Sequence, residues 1–381
     1  MSVFKSFFQA GFECSTHRRR HDARRLDMTA ETYHDLHALA DYRALAELDI
    51  CTVRDGLRWH LIEQTPGIYD WSSFLPLLRA AQATGTQVIW DLCHYGWPDD
   101  LDIWSPAFVE RFAAFARAAA QLVYDVTAEV PLYVPINEIS FFAWAGGDEG
   151  FISPFATQRG TELKLQLARA AIAAIEEIRS VDRRARIVQT EPVINIVPAS
   201  DELCEIRSVE EYTLAQYQSW DLLCGRLRPD LGGRPEYLDI VGVNYYWNNQ
   251  WVHHGEPLER SHPRYRPFAM MLGDVYERYG RPLFVAETSI EGQPRPAWLR
   301  CMAEDVRAAW AAGVPVEGIC WYPIISHLGW DNDRYCANGL LDFHPVSGAR
   351  ILYDPLADEL RHQQRWLASA HDEIMLEIQA G

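Results

Sequence analysis

The chain has 381 residues, 48% of them hydrophobic, and a formal charge of −18 at neutral pH. A surface that acidic argues against nucleic acid or an anionic membrane as the main partner, and the length suffices for one large core. Eight cysteines (Cys14, Cys51, Cys93, Cys204, Cys224, Cys301, Cys320 and Cys336) stand singly with no C-x-x-C pair, which excludes a disulfide framework or a zinc module.

The opening segment, Met1-Ser-Val-Phe-Lys-Ser-Phe-Phe-Gln-Ala, lacks the long apolar stretch of a signal peptide, and no segment reaches the length of a membrane span; a cytoplasmic location is the expectation. Along the chain, short apolar runs near 4–12, 49–54, 87–93, 131–137, 186–191, 238–244, 282–287 and 317–323 read as strands. Longer helical patterns separate them, clearest at 31–48, 105–125, 160–180, 208–224, 296–312 and 354–370. Thr29, Ser105 with Pro106 at the first helical position, and Pro296 mark helix starts. Eight strands each followed by a helix predict an α/β protein, a (β/α)8 TIM barrel, with 1–381 as a single domain and a C-terminal helix at about 354–371. Segments 139–158, 244–264 and 324–350 are too long and too rich in Gly, Pro and aromatics for tight connections. They follow strands four, six and eight, on the face where barrels build their sites.

Two short apolar runs bounded by proline end in a glutamate: Pro131-Leu-Tyr-Val-Pro-Ile-Asn137-Glu138 and Pro282-Leu-Phe-Val-Ala-Glu287. A charged residue closing a buried strand is costly unless it faces a site. Two such carboxylates, one to donate a proton and one to attack, are the minimum for breaking a glycosidic bond. The other strand ends lead into Arg54, His94, Asn244-Tyr245-Tyr246 and Trp321, side chains suited to holding and stacking on a sugar.

The ordered set of these segments resembles the family 1 β-glycosidases of the clan of retaining (β/α)8 glycoside hydrolases, from about residue 5 to about residue 343. Thr52-Val-Arg54-Asp-Gly-Leu-Arg-Trp59 resembles that family's R-F-S-I-S-W, and Trp90-Asp-Leu-Cys-His94-Tyr-Gly-Trp97-Pro98 its Y-H-W-D-L-P. Asn137-Glu138 matches the N-E of T-x-N-E-P, with Ile139 in place of the proline; Val241-Gly-Val-Asn244-Tyr-Tyr246 is similar to G-I-N-Y-Y, Ala286-Glu287-Thr288 to T-E-N, and Trp321 through Trp330 to W-S-L-x-D-N-F-E-W. Arg334-Tyr335 with Asn338-Gly339-Leu340-Leu-Asp342 is similar to the R-F-G-L-x-x-V-D tail.

The resemblance implies a retaining β-glycosidase without cofactor or metal, acting on a small glycoside. Glu287 would be the nucleophile and Glu138 the acid and base, their carboxyls roughly 5–5.5 Å apart. Arg54 and Tyr246 would keep Glu287 ionised, His94, Asn137 and Asn244 would hold the substrate, and Trp321 would lie under the sugar, with Trp330 a further platform. Two departures bear on specificity. The family's S-S-Y-Q-I-E-G glutamine is absent and Glu13 stands near its place, while the glutamate of F-E-W is Gly329.

His17-Arg18-Arg19-Arg20-His21-Asp22-Ala-Arg24-Arg25 is either a solvated salt-bridge loop or an anion clamp for a uronate or phosphosugar. Metal chemistry is the rival enzyme class, although no H-E-x-x-H helix occurs. A carbohydrate-binding barrel without turnover is the non-enzymatic alternative, and transglycosylation the catalytic one. Sequence leaves the oligomeric state open.

Overall fold

Strands whose side chains are apolar on both faces must be covered on both, which a barrel does with its own interior on one side and a layer of helices on the other. The computed structural model describes residues 3–380, with side chains through 367, and shows that arrangement. Strands β1 (Phe8–Gly11), β2 (Thr52–Gly56), β3 (Gln87–Asp91), β4 (Leu132–Val134), β5 (Arg186–Pro192), β6 (Ile240–Asn244), β7 (Leu283–Thr288) and β8 (Val316–Trp321) form a closed barrel in chain order. All neighbours are parallel; Ala10 pairs with Val53 on one side and with Trp321 on the other, which closes the ring.

Alternation along the strands splits the core in two. Ile89, Leu132, Val134, Val188, Ile240, Phe284, Ala286 and Cys320 fill the interior with Phe4. Val53, Trp90, Tyr133, Ile187, Val241, Val285 and Ile319 pack outward in the layer shared with the helices. The wall is tight at Gly242, where a β-carbon would meet the Thr190 side chain at 2.7 Å and Ala286 Cβ at 2.8 Å.

The helices are α1 (His34–Ala46), α2 (Leu75–Thr84), α3 (Pro106–Val126), α4 (Gly160–Val181), α5 (Leu203–Ala215), α6 (Gln218–Leu223), α7 (Phe268–Tyr279), α8 (Arg295–Ala311) and α9 (Asp354–Ala380). Glycines in left-handed backbone stop two of them, Gly85 after α2 (φ 68°) and Gly280 after α7 (φ 60°). Two expected helices are broken. The 31–48 pattern is interrupted at Tyr33, itself left-handed (φ 58°), and the 208–224 pattern gives α5 and α6 with Gln216 and Tyr217 between. Helices α2 and α7 were not legible in the periodicity.

The long segments after β4, β6 and β8 carry small elements that shape the mouth. Ile139–Phe142 and Ala143–Asp148 form helical turns after β4, Gln250–Val252 after β6 pairs with Asn195–Val197 after β5, and two short antiparallel ladders follow β8. Among the described residues no helix is long and apolar enough to cross a membrane.

Candidate active site

The barrel brings Arg54 from β2, Asp91 from β3 and Glu287 from β7 together at the C-terminal ends of their strands. Arg54 donates to both carboxylate oxygens of Asp91 (3.0 and 2.7 Å) and to Glu287 Oε1 (2.6 Å). Tyr246, just after β6, donates to Glu287 Oε2 at 2.9 Å. Burial works against the charge on Arg54, but Asp91 and Glu287 outweigh it and hold the guanidinium protonated. Burial likewise opposes ionisation of Asp91, and Arg54 overcomes it, keeping that carboxyl below its usual range. Glu287 therefore has a charged donor on one oxygen and a phenol on the other.

Glu138 is held differently. It follows β4 in left-handed backbone (φ 43°, ψ 63°), a conformation that costs a side-chain-bearing residue about 1–2 kcal/mol. Its N–H donates to the Thr190 carbonyl of β5 (3.1 Å) and its carbonyl accepts from Phe142 N–H (2.8 Å), so the turn is tied at both ends. Its carboxyl oxygens accept from Tyr95 (2.5 Å) and from the Asn244 amide (2.8 Å), and among the described residues no cation touches it. Burial, then the nearby Glu287 charge, push this carboxyl up to about 8, which keeps it protonated at neutral pH.

Asn137 links the two halves. Its Oδ1 accepts from Arg54 (2.5 Å) and from Thr190 Oγ1 (2.7 Å); its Nδ2 donates to Tyr95 Oη (2.9 Å) and to His94 Nε2 (3.1 Å). An amide nitrogen only donates, so His94 Nε2 accepts and the ring proton sits on Nδ1, donated to Asp91 at 2.9 Å.

A cavity of about 880 Å³ opens above this network, lined by Glu13, His94, Tyr95, Glu138, Tyr246, Glu287, Tyr322 and Trp330 and, further round its wall, by Phe141, Trp144, Tyr212 and Trp251. Arg54, Asn137 and Asn244 are fully buried behind that lining and outside the cavity; Arg54 and Asn244 touch the two glutamates, and Asn137 touches the residues that hold them. Glu13 lines the cavity at 7% exposure; Oε1 accepts from Ser15 N–H (3.0 Å), and among the described residues no Lys, Arg or His lies within ion-pair distance. Trp330 lines it too, with His17 and Tyr95 rings against it at 4.7 and 5.7 Å.

Trp321 is placed elsewhere than expected. Its ring packs outward in the barrel–helix layer, its Nε1–H donates to the Asn338 carbonyl (2.8 Å), and it does not line the cavity. The next residue, Tyr322, takes the position: it lines the cavity, lies parallel to His94 at 5.9 Å, and has Arg54 over its ring at 5.2 Å. At Gly329 the wall is instead formed with His327 and Asn338, whose side chains meet at 3.2 Å. Asp91, Tyr95, Thr190 and Tyr322 were missed as site residues. Only the one-residue-longer spacing from Trp321 to Trp330 signalled the last of them.

The arginine loop stands apart. Arg18 grips Asp99, Arg19 grips Asp22 and reaches Asp333, Arg20 donates to the Glu149 carbonyl, and none of the three lines the cavity. Cys14, Asp91 and His94 are close enough to share an ion. Their chemistry does not suit one: Arg54 already occupies both oxygens of Asp91, and burial holds the Cys14 thiol protonated, well above its usual range.

No family model and no curated protein matches the sequence. Solved structures do. A β-glucosidase from Thermotoga maritima in complex with glucoimidazole aligns over 94% of this chain and 98% of its own with a TM-score of 0.76 at 16% identity. The AHE enzyme from Alicyclobacillus herbarius aligns over 97% and 100% with a TM-score of 0.78 at 15% identity. The Thermotoga maritima family 1 β-glucosidase with isofagomine lactam aligns over 89% of both chains, TM-score 0.75, at 16% identity. Nearly end to end, the chain has the (β/α)8 barrel fold of these structures.

Proposed function

We propose that this protein is a retaining β-glycosidase, with Glu287 attacking the anomeric carbon and Glu138 protonating the leaving oxygen before activating water. The observation that carries the reading is the opposite treatment of two glutamates on one cavity. Arg54 and Tyr246 bind Glu287 as an anion, whereas Glu138 has only neutral donors and a carboxyl pushed up to about 8. Environments that drive two carboxyls apart assign nucleophile and acid. The neighbours bound to glucoimidazole and isofagomine lactam support a sugar in the equivalent cavity.

A neutral sugar fits better than a uronate or phosphosugar. Glu13, Asp148, Glu291 and Asp331 line the cavity beside the Glu138–Glu287 pair, against the cations Lys164 and Arg334, of which Arg334 is paired with Glu291; Arg18 and Arg19 are engaged outside it. Glu13 serves here as an acceptor for sugar hydroxyls, with Tyr322 and Trp330 as ring platforms. The test is proton NMR of early turnover on a panel of aryl β-glycosides, including galactosides, fucosides, glucuronides and 6-phosphosugars. Net retention with the β-anomer appearing first is expected; an initial α-anomer, or no turnover of any glycoside, contradicts the proposal.

A further inference from the structure

Beside Glu138 lies a second buried glutamate that the mechanism does not use. Glu191, at the end of β5, is 2% exposed, and among the described residues no arginine, lysine or histidine comes within ion-pair distance. Both its oxygens accept from one backbone donor, Ser140 N–H, at 3.3 and 3.1 Å. A carboxyl buried this deeply without a cation is costly, so what it holds matters. What it holds is the turn of the acid: Ser140 is two residues beyond Glu138, in the first turn of Ile139–Phe142. Where the family motif has proline, with its locked φ, this chain has the freer Ile139.

Resting on the glycosidase reading, we infer that Glu191 is a positioning residue for the acid, fixing the left-handed turn that aims Glu138 and adding negative charge beside it. β5 thus grips the segment three times: Thr190 O takes Glu138 N–H, Thr190 Oγ1 binds Asn137, and the Glu191 carboxyl takes Ser140 N–H. The groups facing Glu191 are Ser140 from the turn, Ser219 from α6, and Lys164 from α4, which bonds Gln218 and acts only through space. Those facing Glu138 are Tyr95, Asn244, Glu287 and Glu191. Burial raises the Glu191 carboxyl to about 7, and its anion in turn raises Glu138, after the larger effects of burial and Glu287.

The test compares Glu191→Ala and Glu191→Gln with wild type on the methyl and 2,4-dinitrophenyl glycosides of whichever sugar wild type cleaves best. Misplacing an acid hurts only the leaving group that needs protonation. Glu191→Ala should lower kcat/KM at least 10-fold on the methyl glycoside and under 3-fold on the dinitrophenyl one. Glu191→Gln keeps an acceptor for Ser140 and should fold as wild type. With the negative charge gone, Glu138 loses its proton at lower pH, so the alkaline limb on the methyl glycoside should move down by about half a unit. Equal losses on both substrates, or an unmoved limb in Glu191→Gln, would overturn the inference while leaving the glycosidase reading intact. A wild type that cleaves no glycoside overturns that reading itself.

Discussion

Two buried polar networks flank β2, and they are built to opposite rules. On the helix side, His34 of α1 sits between Asp41 (2.8 Å) and Asp55 (2.9 Å), Tyr42 donates to Asp55, and Arg350 grips both oxygens of Asp41 at 2.7 Å. Every charge there has an opposite partner, and Phe12 covers the imidazole at 3.7 Å. At the mouth, Arg54 serves Asp91 and Glu287, while Glu13, Glu138 and Glu191 have no cation in contact among the described residues. Charge balance marks a network that fastens elements together. Surplus buried carboxylate marks one that spends stability on chemistry.

The largest expected effect breaks the mouth. Glu287→Ala should lower kcat by roughly 10⁴-fold or more, about 5 kcal/mol of lost transition-state stabilisation, with azide restoring part of the rate and yielding an α-glycosyl azide. A variant within 10-fold of wild type on an alkyl glycoside sinks the assignment.

Next comes the balanced network, where stability and not turnover should suffer. Asp41→Ala strips Arg350 of its carboxylate and leaves His34 with Asp55 alone, and should cost about 3–5 kcal/mol in denaturant unfolding, with kcat per folded molecule unchanged. Burial disfavours the His34 cation, but Asp55 and Asp41 outweigh it and raise its pKa to about 9. A raised histidine stabilises fully below its unfolded value near 6.5, and the contribution fades as pH rises through about 9. The shift corresponds to about 3 kcal/mol. A stability curve with no downward slope between those values would contradict the pairing.

The smallest effect concerns sugar recognition. Glu13→Ala should lower kcat/KM roughly 10- to 100-fold, about 1.5–3 kcal/mol, because hydroxyls lose a charged acceptor. Stability should hold, since the carboxylate has one backbone partner to lose. Unchanged kinetics would remove Glu13 from the binding wall.

Legibility followed the same divide. Glu138 and Glu287 stood out because a charge closing an apolar run is costly unless it faces a site, and Arg54, His94 and Tyr246 were readable as strand-end companions. Trp321 and Tyr322 are adjacent aromatics at one strand end; strand alternation sends one outward and the other to the mouth, and a one-residue slip chooses wrongly. Asp91 and Tyr95 read as ordinary strand and turn residues until Arg54, Asn137 and Glu138 are placed beside them. Helices α2 and α7 are 10 and 12 residues long, short enough that packing against the barrel and not intrinsic periodicity defines them. The pairing of Asp41 with Arg350 joins residues 309 positions apart, which no local pattern reports.

The most direct test of the central claim is to trap the intermediate. Wild type inactivated with a 2-deoxy-2-fluoro-β-glycosyl fluoride of its preferred sugar, then digested and mapped by mass spectrometry, should carry one fluorosugar as an ester on Glu287 and none on Glu13, Glu138 or Glu191. An adduct on any of those three glutamates, or inactivation without an adduct on Glu287, would contradict the account.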